Sequence, residues 1–421
     1  MNIINFSYRF AARDPLYDVY PGKPRREGGL PWEGYEKARW LHHVSGVPVT
    51  WIVDSVAIDQ AYRRMRNDVE TTGDELILQL EPFAHQPLLE KLGIKQEPFG
   101  LRNYKTGDLV TLFKGLKKFA EDKLELPVTI GSGYWLSAQV IRAAAEAGFE
   151  AIWGMCWDQK GIDGATHRGS PWFPYYLSEE DFKAPSTKPG GVLFFPWYRA
   201  DLGNAFLLNH HPPFTTHSGE LVRWNLDFPE TYVRAMFAQA AHEARTSPFA
   251  FSQVHLECDW MDSSGIFHDE DTSPAAVTFE FQKKMVQLAA SMEGYEFSTL
   301  ARFVAWHRKN FEFTTRHDTV WTDPFENFPP LRFAADCDSL RVSTIDGELL
   351  ASQNYRDGKL AEADAGFLDR YALGRRLCPN PRLPFALQWR LRQWAAIPDR
   401  QEEGPRIDTG APAPMGSGSL I

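Results

Sequence analysis

Short apolar runs alternate with longer segments of helical spacing along the first 310 positions, the pattern of an α/β architecture. A strand is predicted over 3–10, followed by a Pro-, Gly- and Arg-rich loop through Pro31. A helix over 33–45 stops at Gly46, a strand over 47–53 ends at Asp54, and a helix over 59–69 leads to a strand over 75–80. Then come a helix over 109–123, a strand over 127–130, and an Ala-rich helix over 137–147 that ends before Gly148. Strands over 149–154, 191–195 and 249–256, the last preceded by a helix over 232–245, bring the strands to seven. Helices over 277–292 and 298–309 would close the outer layer.

Beyond about residue 310 the texture changes. Segments 331–335, 339–344 and 348–352 are short and separated by turn signals such as Asp346-Gly347, which predicts a small antiparallel β appendage over 311–403. Residues 404–421 are rich in Pro, Gly and Ser and read as a flexible tail.

Composition narrows the function classes. With 421 residues the chain is long enough for a catalytic barrel over 1–310 plus the appendage. Its 14 Trp and 29 Phe exceed what a minimal core needs and leave rings for a cleft, where sugar faces pack well. A net charge of -10 argues against nucleic acid or an anionic membrane as the main partner. The four Cys match no zinc or disulfide pattern, and the N-terminus lacks the features of a secretory signal. No run approaches the roughly 18 apolar residues that span a bilayer. The expectation is a soluble cytoplasmic protein with a carbohydrate or other polyhydroxylated substrate; secretion after loss of a leader and assembly into a homo-oligomer stay open.

Barrels of this kind place their chemistry at the carboxyl ends of strands. Asp158 follows the strand that runs into Met155-Cys156-Trp157, and His255, Glu257 and Asp259 alternate at the end of another, which points them to one face. Two carboxyl groups across a cleft suit glycoside hydrolysis, one as acid and one as base or nucleophile. Asp158, Glu257 and Asp259 are therefore the candidate catalytic acids. Burial beside Trp153, Trp157 and Trp260 would keep an acid protonated, and the same rings would stack on sugar, although core packing is the plainer use of Trp153. The long polar and aromatic loop 158–176 reads as a substrate wall in which His167 and Arg168 contact the ligand. Gly131-Ser-Gly-Tyr-Trp135 suits close backbone approach to a ligand beside Trp135. His210, His211 and His217 lack metal-ligand spacing, and Pro212-Pro213 breaks any helix between them.

Several segments carry a resemblance. Gly46-Val-Pro-Val-Thr-Trp-Ile-Val53 resembles the second strand of NodB-like polysaccharide deacetylases, and Gly73-Asp-Glu-Leu-Ile-Leu-Gln-Leu-Glu-Pro82 is similar to their His-x-His strand. Leu136 to Phe149, Pro174-Tyr-Tyr-Leu-Ser-Glu-Glu-Asp181 and Tyr295-Glu-Phe-Ser-Thr-Leu-Ala-Arg-Phe303 resemble further elements in the family's order. The resemblance implies a seven-stranded (β/α) barrel of the glycoside hydrolase/deacetylase type, shared with glycoside hydrolase families 38 and 57. The departures matter as much. The first strand reads Asn5-Phe-Ser-Tyr-Arg-Phe10 where the family carries Asp-Asp, and Gln79 and Glu81 stand at the two His positions. Gln is a poor zinc ligand, so no metal is expected; if one is held, Asp54, Glu81 and His85 are the set. Arg9, Gln79, Glu81, His255 and Trp260 are then expected to face substrate, together with Trp135, Trp157 and His167. The leading expectation is a glycosidase, in which the likeness to families 38 and 57 implies Asp158 and Glu257 as the catalytic pair with Asp259 in reserve. The alternatives are a deacetylase or amidohydrolase that cleaves a C–N or ester bond of a sugar-like substrate, and a catalytically silent glycan-binding barrel.

Overall fold

The computed structural model describes residues 1–12, 29–81, 85–95, 101, 104–133, 137–154, 173–181, 184–195, 216–224, 228, 230–268, 270–271, 273–322 and 330–363. Its centre is a curled sheet. Strand β1 (Asn2–Phe10) pairs in parallel with β2 (Val49–Val53) on one side and β8 (Ala250–Glu257) on the other. Beyond β2 lie β3 (Glu75–Gln79), β4 (Ile130–Ser132), β5 (Ala151–Trp153) and β7 (Leu193–Phe195), all parallel. A short β6 (Tyr175–Tyr176) runs antiparallel along β7, and β9 (Glu296–Phe297) pairs with the start of β1.

Among the described residues β7 and β8 share no ladder, so the sheet is a half-barrel rather than the closed barrel expected. Aromatic rings bridge the opening. Phe195 on β7 and Phe251 on β8 lie 5.1 Å apart, and Phe303, from the helix after β9, packs on both at 5.5 and 4.9 Å. A helix thus takes the place of a strand-to-strand ladder.

Helices cover the outer face. α1 (Trp32–Ser45), α2 (Ser55–Thr72), α3 (Gln86–Leu92), α4 (Thr106–Leu124) and α5 (Ala138–Glu146) precede α6 (Ser218–Trp224), α7 (Glu230–Glu243), α8 (Ala275–Ser291) and α9 (Leu300–Asn310). The period-two pattern of β1 decides what faces where. Phe10 stacks on Tyr35 of α1 with ring centres 4.4 Å apart, and Tyr8 and Phe6 each meet His42 at 5.2 Å. Asn5, Ser7 and Arg9 point the other way, opposite Gln253, His255 and Glu257 of β8. The lumen between the strands is therefore polar along this seam.

At its lower end Asn5 donates to Thr50 Oγ1 (2.8 Å) and Thr50 to Glu75 (2.5 Å), while Glu75 accepts the backbone N–H groups of Leu300 and Ala301. A carboxylate at those orphan donors starts α9.

A second sheet, antiparallel, follows: β10 (His317–Trp321), β11 (Leu331–Ala335), β12 (Ser339–Thr344), β13 (Leu349–Arg356) and β14 (Lys359–Ala363). The pattern predicts the middle three; β10 and β14 flank them as edges. The flexible tail expected over 404–421 lies outside the described residues.

Where the two sheets meet, His307 of α9 is fully buried among Phe249, Phe303, Phe311 and Tyr176, and neither ring nitrogen has a hydrogen-bond partner. An imidazole left in that state forfeits its hydration without return. Replacing His307 by Phe is expected to raise unfolding stability by about 1 kcal/mol, read from the urea midpoint at unchanged slope.

Candidate functional site

The carboxyl end of the β1–β8 pair gathers three ionisable groups around one carboxylate. Arg9 Nη2 lies 3.3 Å from Glu257 Oε1, His217 Nε2 lies 3.0 Å from Glu257 Oε2, and His255 Nε2 lies 3.6 Å from Oε1. All four side chains are at most 3% exposed. Burial alone would push the Glu257 carboxyl up, but the Arg9 charge, the hydrogen bond from His217 and the nearby His255 ring outweigh it and hold it well below the usual carboxylate range. Glu257 is ionised.

His255 is pulled down to about 4 by burial, so it is neutral near pH 7. With its Nε2–H turned to Glu257, its Nδ1 accepts from the Ser7 hydroxyl at 3.0 Å. The Ser7 oxygen lies 3.5 Å from the Gln253 amide, and Trp153 closes over the His255 ring at 4.6 Å. Each polar group on the inner face thus aligns the next.

Local sequence sets this geometry. β8 runs into a 3-10 turn over Cys258–Met261 that packs hard against neighbouring backbone. A Cβ on Gly34 of α1 would lie 1.9 Å from the Cys258 carbonyl oxygen, and one on Gly265 would lie 1.9 Å from the Asp259 carbonyl oxygen. Glycine permits both approaches. Trp260 stacks on Phe267 at 4.9 Å and meets the His217 ring edge-on at 5.2 Å.

No family model matches the chain, and no curated protein matches it. Among solved structures it is similar to a candidate glycoside hydrolase/deacetylase from Parabacteroides distasonis, at 13% identity and TM-score 0.58, covering 86% of this chain and 82% of that one. The chain has the glycoside hydrolase/deacetylase fold. Candidate polysaccharide deacetylases from Pseudomonas aeruginosa (12% identity, TM-score 0.44) and Mycobacterium smegmatis (14%, 0.40) each cover 73% of this chain and 91% of their own.

Within this glycoside hydrolase/deacetylase fold the expected positions fare unequally. Arg9, His255 and Glu257 converge, and Trp260 joins them through His217. Asp259 is buried in the turn that follows Glu257. Gln79 and Glu81 sit fully buried at the end of β3, and both polar atoms of the Gln79 amide lack a partner. Asp158, Trp135, Trp157 and His167 lie outside the described residues, so the Asp158–Glu257 pair has no distance here.

The set Asp54, Glu81 and His85 does not fit a metal. Asp54 caps α2 by accepting from Ala57 N at 2.7 Å and also accepts from Ala12 N at 2.9 Å. His85 is buried immediately before α3. It donates from Nε2 to the Gln79 carbonyl at 2.6 Å and accepts at Nδ1 from the Ser55 hydroxyl at 3.0 Å, which spends both ring nitrogens. Among the described residues no three His, Cys, Asp or Glu side chains form a group that would hold an ion. The sequence singles out His217 only as lacking metal-ligand spacing. That residue is a member of the central cluster, 40 residues from Glu257 in sequence, and spacing gives no sign of that. Ser7 was likewise not singled out, although its alternation with Arg9 on β1 carries the signal.

Buried histidines make stability depend on pH. Burial pulls His42 down to about 3 and His85, His255 and His307 to about 4, from an ordinary 6.5. Between those values the unfolded chain binds protons that the fold refuses, so stability falls as pH drops from about 6.5 toward 4. Glu75, pushed up by burial to about 7, acts oppositely, since the fold binds its proton more tightly than the unfolded chain does. Four groups outweigh one. Denaturant unfolding is expected to show a clear loss of stability from pH 7 to pH 5; a rise over that range contradicts the neutral assignments.

Proposed function

We propose that the protein is a carbohydrate-directed hydrolase of the deacetylase kind, removing an acyl group from a sugar-like substrate at the carboxyl ends of β1 and β8. The observation that carries this reading is Glu257, held ionised between Arg9 and His217. Such a carboxylate does not donate the proton that a glycosidic oxygen needs. It suits orientation of an imidazole and stabilisation of charge on it.

In the proposed reaction His217 takes a proton from water as the oxygen adds to the acyl carbonyl, and returns it to the departing amine or alkoxide. Arg9 supplies positive charge for the developing oxyanion. Gln79, Glu81 and Trp260, with Trp135, Trp157 and His167, are assigned to hold the sugar. No step passes through a metal, because the donor set does not fit one. The glycosidase reading would require Asp158 or Asp259 as its acid, with Glu257 restricted to base or nucleophile.

Acetylated oligosaccharides distinguish the readings. Release of acetate without new reducing ends is the expected result. New reducing ends without acetate would transfer the chemistry to a glycosidase with Asp158 and Glu257, and binding without either product would make the protein a glycan-binding barrel.

A further inference from the structure

A buried hydrogen-bond chain on the outer side of β1 leads to the segment that carries His217. His42 Nδ1 donates to the Val47 carbonyl at 3.1 Å, which leaves Nε2 as an acceptor for the Tyr8 hydroxyl at 2.8 Å. The Tyr8 oxygen accepts from Gln282 Nε2 at 2.6 Å, and Gln282 Oε1 accepts from the Ser218 hydroxyl at 2.6 Å. Tyr8, His42, Ser218 and Gln282 are all at most 3% exposed. The direction of every link is fixed from the Val47 end. Flipping the Gln282 amide would ask one Tyr8 proton to serve two acceptors.

Ser218 is the residue after His217. On the other side Thr216 Oγ1 reaches the Gln253 carbonyl of β8 at 3.3 Å. Gly219 is packed so closely that a Cβ there would lie 2.4 Å from the Trp260 ring. His217 is therefore bracketed by an anchor to β8 and an anchor to α8, with a ring against the next residue.

We infer that Gln282, 64 residues from Ser218 and outside the Glu257 cluster, is a positioning residue that holds His217 against Glu257 through the Ser218 hydroxyl. This rests on the proposed role of His217 for its catalytic meaning, though not for its structural content. The chain gives α8 a use beyond covering the sheet. It fixes the register of the His217 segment to the same strand, β1, that supplies Arg9.

The test follows the His217 ring nitrogens by NMR in the full-length protein, comparing wild type, Ser218→Ala and Ser218→Thr, with acetate release measured alongside. Ser218→Ala is expected to shift the His217 ring signals and lower kcat about tenfold with KM little changed, as a misplaced group does. Ser218→Thr, which keeps the hydroxyl, is expected to restore both. If Ser218→Ala does not fold, Gln282→Met is read in the same way. His217 signals that overlay those of wild type in a folded variant would overturn the inference. Signals that move while acetate release is unchanged would uphold the positioning role and remove His217 from the proposed reaction.

Discussion

Glu257→Ala is expected to destabilise the protein by about 3–5 kcal/mol, the range for breaking a buried ion pair by removing one partner. Arg9 and Glu257 are each 3% exposed, so the truncation leaves a guanidinium in the lumen without its carboxylate. Glu257→Gln keeps the shape but removes the charge that His217 and Arg9 face, so acetate release is expected to fall about 100-fold or more at a smaller cost in stability. Pairing Glu257→Leu with Arg9→Met is expected to recover much of the lost stability without recovering activity, because a buried pair replaced as a unit by apolar groups leaves no orphan charge. Urea unfolding and acetate assays on the same preparations check all three.

Gly265→Ala is the second large effect. The added Cβ would lie 1.9 Å from the Asp259 carbonyl oxygen and 2.8 Å from that of Asp262, both main-chain atoms that no rotamer change can move aside. The turn that holds Asp259 and Trp260 must open to admit it. Overpacking of this kind costs roughly 1–3 kcal/mol, and contact with backbone places this case at about the upper end. Because Trp260 lies edge-on to His217, acetate release is expected to fall along with the melting temperature. A variant of full stability would mean that the turn is not held as described.

Much of the fold was legible in the sequence because parallel strands buried on both faces read as apolar runs broken by Gly and Asp. The segment 47–53 ending at Asp54 is an example: Asp54 proved to be the cap of α2, which starts four residues ahead of the predicted 59. The half-barrel opening was not legible. It depends on Phe303 meeting Phe195 and Phe251, three rings brought together only by the curl of the sheet. In the site, the alternation of His255 and Glu257 was readable as one face of a strand; the pairing of β1 with β8 that sets Arg9 beside Glu257 was not. His217 was not, since two prolines precede it and its contact with Glu257 spans 40 residues with no periodicity to reveal it. The same limit hid the buried histidines, whose neutral state follows from burial rather than from any local pattern. The weak likeness of Gln79 and Glu81 to a His-x-His motif was informative mainly as a departure, since the surrounding donors Asp54 and His85 turn out to be occupied by their own backbone and by Ser55.

A crystal structure with an acetylated oligosaccharide bound shows whether the Glu257 cluster is the working centre of an acyl-removing hydrolase, as proposed. The acyl carbonyl is expected within hydrogen-bond reach of His217 or Arg9 at the ends of β1 and β8. A sugar seated elsewhere, with Arg9, His217 and Glu257 untouched by the ligand, would contradict it.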